Sequence, residues 1–160
     1  MVKAISLWQP WASLVAVGAK KIETRSWSTN YRGPLAIHAA KKWNLELSSM
    51  LAMWHVQNGL APLVGKPLDL SRELWSGVKE EHLPRGAVIA ICKLVDCIPT
   101  DDLTQKQIGT DKPFGDFSLG RFGWLLEDVQ LLPEPIPETG HQGLWNWTPP
   151  EGLCFEGGAN

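Results

Sequence analysis

Residues 5–27 read ISLWQPWASLVAVGAKKIETRSW, and the arrangement of the rest follows from how this stretch folds. Lys3 to Leu7 is short, apolar and suited to a strand. Pro10 fits a first helical turn, and WASLVAV continues the helix until Gly18 ends it. Trp11, Leu14 and Val15 form its inner face. KKIETRSW then reads as an edge strand or extended turn. Three tryptophans therefore stand beside Lys20, Lys21, Glu23 and Arg25. Either the rings are core and the charges its rim, or the stretch lines a pocket that stacks a flat ligand and holds an anion.

Downstream, PLAIHA at 34–39 is the next strand. Lys41 to Asn58 carries apolar residues at helical spacing (Leu47, Leu51, Trp54), and Leu70 to His82 suits a further helical piece. Val88, Ala90, Cys92 and Leu94 alternate along a long strand. Asp101 to Phe114 is polar loop with a helical turn, and RFGWLLEDVQLL from Arg121 is a strand broken at Glu127-Asp128. After the proline-rich LPEPIPETG, GLWNW closes the series as a short strand. These spans predict one domain over 1–150, with a helical excursion at about 43–83 and a peripheral tail at 151–160. Short strands joined by unequal loops, without regular crossover helices, favour a small curled or closed sheet over a parallel α/β sheet.

The 160 residues carry a net charge of −2, which argues against a strongly basic nucleic-acid binder on bulk composition. The distribution is uneven. Residues 1–43 hold seven basic groups against one acid, Glu23, while the remainder holds eight basic and sixteen acidic groups. A one-sided molecule of this kind can present a local positive field while remaining acidic overall. Three cysteines without CxxC spacing argue against a disulfide scaffold or a zinc site. The start MVKAISLW lacks the apolar run of a signal peptide, no segment approaches a membrane span, and a reducing cytoplasm is the expected setting.

Nucleotide-loop, metalloprotease and serine-elbow motifs are absent, and neither a cofactor nor a metal is expected. The spacing of Lys20, Glu23 and Arg25 carries the most chemistry. In an extended chain Glu23 and Arg25 share one face and Lys20 takes the other, unless a turn near Lys20 intervenes. An uncharged lysine serves as base or nucleophile, whereas a charged one grips phosphate, and the spacing leaves both open. His38 ends a strand, either as a structural histidine or as a proton carrier.

Five blocks recur in an order that resembles the ASCH (activating signal cointegrator homology) domain: ISLWQPWASL at 5–14, GAKKIETRSW at 18–27, YRGPLAIHA at 31–39, GDFSLGRFGWLLEDV at 115–129 and HQGLWNW at 141–147. The chain is most similar to compact bacterial or phage-type members. The resemblance implies an α+β fold, a small PUA-like mixed β-barrel with flanking helices. It also implies a cleft beside the barrel that meets RNA, single-stranded nucleic acid or a nucleotide. The family block G-x-K-x-x-(E/T)-x-R puts Gly18, Lys20, Glu23 and Arg25 in that cleft, with Ser6, Gln9, Trp11, Trp27 and His38 as neighbours. The Gly115–Arg121 loop closes one side.

Some small relatives resemble hydrolases of N4-acetylcytidine that use a lysine, a threonine and a later glutamate. Lys20 matches the lysine, but Glu23 stands where the threonine belongs and Thr24 is displaced by one residue; Glu127 is the candidate for the later glutamate. A ribonuclease is another relative, without a clear counterpart of its catalytic arrangement here. The leading expectation is a nucleic-acid or nucleotide-binding module. The alternatives are a small metal-independent hydrolase of a modified nucleoside, a ribonuclease, and a protein-docking domain.

Overall fold

Runs of consecutive buried residues, 35–39 and 87–92, mark the centre of the computed structural model, which describes residues 1–64 and 78–153. β1 spans Val2–Leu7, and the α1 helix Trp11–Ala16 follows at once. β2 (Ile22–Arg25), β3 (Gly33–Ala39), β4 (Ala87–Pro99), β5 (Phe122–Pro137) and β6 (Leu144–Trp147) complete a six-stranded sheet. Its order is β2-β5-β4-β3-β1-β6. β1 and β3 run parallel, and the other neighbours are antiparallel.

The expected barrel does not form. β2 and β6 are the two edges, each four residues long, and no ladder joins them. One face of the sheet is filled by α1: Ala12, Val15 and Ala16 pack with Ile5, Leu35 and Ile37. The curled sheet thus closes its core with a helix, leaving its edge strands open to side chains and loops. The opposite face carries a second cluster, in which Val2, Ala4, Ala36 and Val88 meet Trp147.

The predicted break at Glu127-Asp128 is a bulge within one continuous strand. Gln130 faces Ile91 and Glu127 faces Lys93, so the β4–β5 register shifts there, and Asp128 has φ 51°. Aspartate tolerates this left-handed backbone better than bulky residues do. The prolines of the LPEPIPETG stretch lie inside β5 as well. Among the described residues, β2 pairs only with Phe122–Leu125 and no other strand lies along that edge of β5. Pro133, Pro135 and Pro137 recur every second residue, which puts their missing N–H groups on one side of the strand.

The predicted helix at Lys41–Asn58 is two helices, α2 (Leu45–Leu51) and α3 (Trp54–Leu60). Asn44 caps α2 by accepting from Leu47 N at 2.9 Å. Leu51, Val56 and Leu60 pack with Leu14 on the outer side of α1. Of the piece expected at 70–82, residues 70–77 lie outside the described residues, as does the tail from 154; Glu80–His82 form a single 3-10 turn. The polar stretch before β5 holds α4 (Gln105–Ile108) and a 3-10 segment, Gly109–Phe114. Among the described residues, no helix is long and apolar enough to cross a membrane.

Candidate functional site

α1 is anchored at its start by Gln9, whose side chain is fully buried. Its Oε1 accepts from Ser13 N at 3.1 Å and its Nε2 donates to the Pro84 carbonyl at 2.7 Å. Gly18, at φ 75°, ends the helix. Lys20 N then bonds back to the Leu14 carbonyl, so the chain is still turning at Lys20 before β2 begins. That turn, rather than strand alternation, decides where the lysine goes.

Lys20 is completely buried. Its ammonium donates to the Ile22 carbonyl and lies 3.5 Å from Glu23 Oε2. Glu23 Oε1 in turn meets Arg25 Nη1 at 3.4 Å. The three groups form a chain from the interior to the surface, with Glu23 the innermost that still borders open space. Asp111 fixes the start of β2: its Oδ2 accepts from Lys21 N at 2.7 Å and Ile22 N at 2.6 Å. Burial pushes the Asp111 carboxyl above its ordinary range, against the pull of the two N–H groups and of Lys20 and Lys21.

The Gly115–Arg121 loop is laced to the outer side of β2. Thr24 Oγ1 accepts from Asp116 N at 3.1 Å, and Arg121 donates to the Asp116 and Thr24 carbonyls. Gly115 makes this approach possible, since a Cβ there would stand 2.9 Å from the Phe117 ring and 3.1 Å from Thr24 Cγ2. Arg121 is therefore committed to holding the loop. Glu127 is exposed, opposite Lys93, and borders none of the cavities described below.

A cleft of about 520 Å³ opens between the ends of β2 and β6. Trp8, Trp11 and Trp27 line it with Glu23 and Arg25, and Ser6, His141 and Gln142 form its other side. Trp27 meets the core ring of Trp124 edge to face at 4.7 Å, and the Arg25 guanidinium lies 5.8 Å from the Trp27 ring centroid. Trp8 is 42% exposed, with Lys42 Nζ 4.7 Å from its centroid. Trp11 and Glu23 also border a smaller cavity of about 340 Å³, with Met50, Met53 and Gly115 on its far wall.

Across Ser6 lies a third cavity, of about 750 Å³, bounded by His38, Lys41, Lys42 and the Glu138–Gln142 turn. His38 is 2% exposed, and its Nε2 lies 3.0 Å from the Glu138 carbonyl. A carbonyl only accepts, so Nε2 carries the hydrogen and neutral His38 keeps a bare Nδ1. Burial lowers the affinity of His38 for a second proton, opposed by Glu138.

The structure thus brings Ser6, Trp11, Glu23, Arg25 and Trp27 to one cleft, places Lys20 beneath it and His38 beside it, and uses Gln9, Gly18 and Arg121 to shape it. Sequence reasoning missed Asp111, and it missed Lys42 as a partner of Trp8; both associations depend on contacts across the fold. Among the described residues, no group of three or more His, Cys, Asp or Glu is placed to hold a metal ion.

Comparison with known proteins agrees with this architecture. Human activating signal cointegrator 1 is 31% identical over 144 residues, and the mouse protein of the same name 29%. Each alignment covers 88% of this chain but only 21% of the relative, so the chain spans about a fifth of their length. The crystal structure of ASCH from Zymomonas mobilis superposes with a TM-score of 0.51 at 17% identity, covering 93% of this chain and 88% of that one; at that identity it speaks for the fold alone. The ASCH domain itself matches residues 5–123. This chain belongs to the ASCH domain family.

Proposed function

We propose that the chain is a nucleic-acid-binding module that holds an unstacked base of a single strand in the tryptophan-lined cleft. The observation that carries this reading is the pairing of aromatic faces with cations at the mouth, Arg25 with Trp27 and Lys42 with Trp8. Every base has a π-face, so stacking on such rings is sequence-tolerant and worth about 1–3 kcal/mol per base. Arg25, Lys41 and Lys42 surround the openings and meet the adjacent phosphates. A base that stacks on the exposed face of Trp8 takes the place of Lys42, whose flexible stem lets the ammonium turn to phosphate. The uneven charge of the sequence then has a local meaning: Lys20 and Arg25 both meet Glu23 and Arg32 meets Asp96, while Lys41 and Lys42 line the neighbouring opening.

Hydrolysis finds less support. The Lys20 ammonium is enclosed and directed at Ile22 and Glu23, and Glu127 is exposed and borders neither of the cavities that Glu23 lines. The test is a titration of short single-stranded RNA and DNA and of nucleoside monophosphates at two salt concentrations, with Trp8→Ala beside the native chain. Saturable, salt-weakened binding that Trp8→Ala reduces supports the module. Absence of binding to every oligonucleotide overturns it, and turnover of a free modified nucleoside would restore the hydrolase.

A further inference from the structure

Four buried side-chain polar atoms among the described residues lack a hydrogen-bond partner: Ser6 Oγ, Ser13 Oγ, His38 Nδ1 and Trp145 Nε1. Ser6, His38 and Trp145 are neighbours. Ser6 stands opposite His38 in the parallel β1–β3 register, and the His38 and Trp145 rings meet edge to face at 5.8 Å. Buried polar groups are normally satisfied, so such a cluster calls for a physical cause.

The cause lies in what covers it. A Cβ on Gly140 would stand 2.6 Å from His38 Nδ1 and 2.7 Å from Ser6 Oγ, so the glycine backbone rests directly over both atoms. A methylene can return neither hydrogen bond in full. The covering turn is exposed from Pro137 to Gln142 and belongs to no strand or helix between Glu138 and Gly143. On each side lies open space: the His38 cavity and the tryptophan cleft share Ser6, His141 and Gln142 as their common wall.

We propose that Ser6 and His38 form a ribose-hydroxyl subsite, by which the module prefers RNA to DNA. The inference rests on the nucleic-acid reading above. His38 Nδ1 is an acceptor only, because Nε2 donates to Glu138, whereas the Ser6 hydroxyl both donates and accepts. A sugar hydroxyl complements the pair: its hydrogen goes to Nδ1 and its oxygen accepts from Ser6. A base edge also offers donor and acceptor together, but the stacking rings lie in the adjoining cleft. The walls here carry Lys41 and Lys42, which suit the sugar–phosphate strand. With a base on the rings, its own ribose falls at the shared wall. Gly140 moves off the two atoms as the hydroxyl takes its place, while the Glu138 carbonyl stays on His38 Nε2.

The experiment compares oligouridine, oligodeoxyuridine and 2′-O-methyl oligouridine of equal length on the native chain, Ser6→Ala and His38→Gln. Glutamine retains a donor toward Glu138 and exchanges the fixed Nδ1 acceptor for an amide oxygen on a mobile stem, so Ser6→Ala, which removes its hydroxyl outright, is the sharper of the two variants. The native chain binds oligouridine more tightly than either analogue, roughly twofold to tenfold for each hydrogen bond. The methylated strand keeps the RNA sugar pucker and loses the donor, so it ranks with the deoxy strand. Both substitutions bring the ribose-to-deoxyribose ratio toward one. Equal native affinity for the three strands, or equal losses for all three in both variants, overturns the subsite while leaving the module standing. No binding to any strand overturns the module itself.

Discussion

Two polar clusters border the tryptophan cleft, and they differ in how completely their hydrogen bonds are met. On the β2 side, Lys20, Glu23 and Arg25 are linked in sequence, and Asp111 takes the free N–H groups of Lys21 and Ile22. On the β6 side, Ser6, His38 and Trp145 each leave a buried polar atom without a partner. The first cluster is built as support: removing a member strands a charge or a donor in the interior. The second holds bonding capacity in reserve at Ser6 Oγ, His38 Nδ1 and Trp145 Nε1, while His38 Nε2 keeps the Glu138 carbonyl. A residue matched to a family motif can therefore be structural, while a less prominent neighbour is left available to a ligand.

Substitutions that break the satisfied side should have the largest effect. Glu23→Ala leaves the buried Lys20 ammonium with only a carbonyl, and breaking a buried pair in this way costs roughly 3–5 kcal/mol. Urea denaturation would report it; a change below about 1 kcal/mol would mean that the pair does not support the fold. Asp111→Ala strands two backbone donors and should cost about 2–3 kcal/mol, with Asp111→Asn milder because an acceptor remains. Equal losses in the two variants would argue against the hydrogen bonds as the cause.

The unsatisfied side should respond to pH before it responds to truncation. Unfolded His38 takes up a proton near its ordinary value of 6.5, and the folded chain resists protonation because the ring is buried. The unfolded state therefore binds more protons below that value, and stability falls as pH drops through it toward the lowered folded value. His38→Gln should flatten this part of the stability–pH curve, and an unchanged slope would assign it to other groups. Ser6→Ala, which removes a hydroxyl without a partner, should shift stability by no more than about 0.5 kcal/mol, measured in the same denaturation series.

Local pattern made the strands and α1 legible. Short apolar runs mark β1 and β3, apolar residues at every second position from Val88 to Leu94 mark β4, and Pro10 and Gly18 bracket the helix. Closure was not legible, because it depends on whether residues 22–25 meet residues 144–147, which no local signal encodes. The Glu127-Asp128 break was visible, but a bulge and a strand end look alike until the partner strand is present. Lys20 shows the same limit in the site. Extended geometry sets it opposite Glu23, and the turn held by Asp111, 90 residues away, brings the two together. The surroundings of His38 depend on Glu138, 100 residues distant, so its strand-end position alone could not reveal the bare Nδ1.

The central claim is that the open edge of this sheet stacks a base and holds its phosphates, and Trp8→Ala tests it most directly because that ring is 42% exposed. Affinity for a short single-stranded RNA, measured at two salt concentrations, should fall about fivefold to a hundredfold in the variant, the equivalent of about 1–3 kcal/mol of stacking. With two or three phosphates engaged, both proteins should show a slope of about −1.4 to −2.1 in log K against log salt. Trp8→Ala binding as tightly as the native chain, with the same slope, would contradict the account.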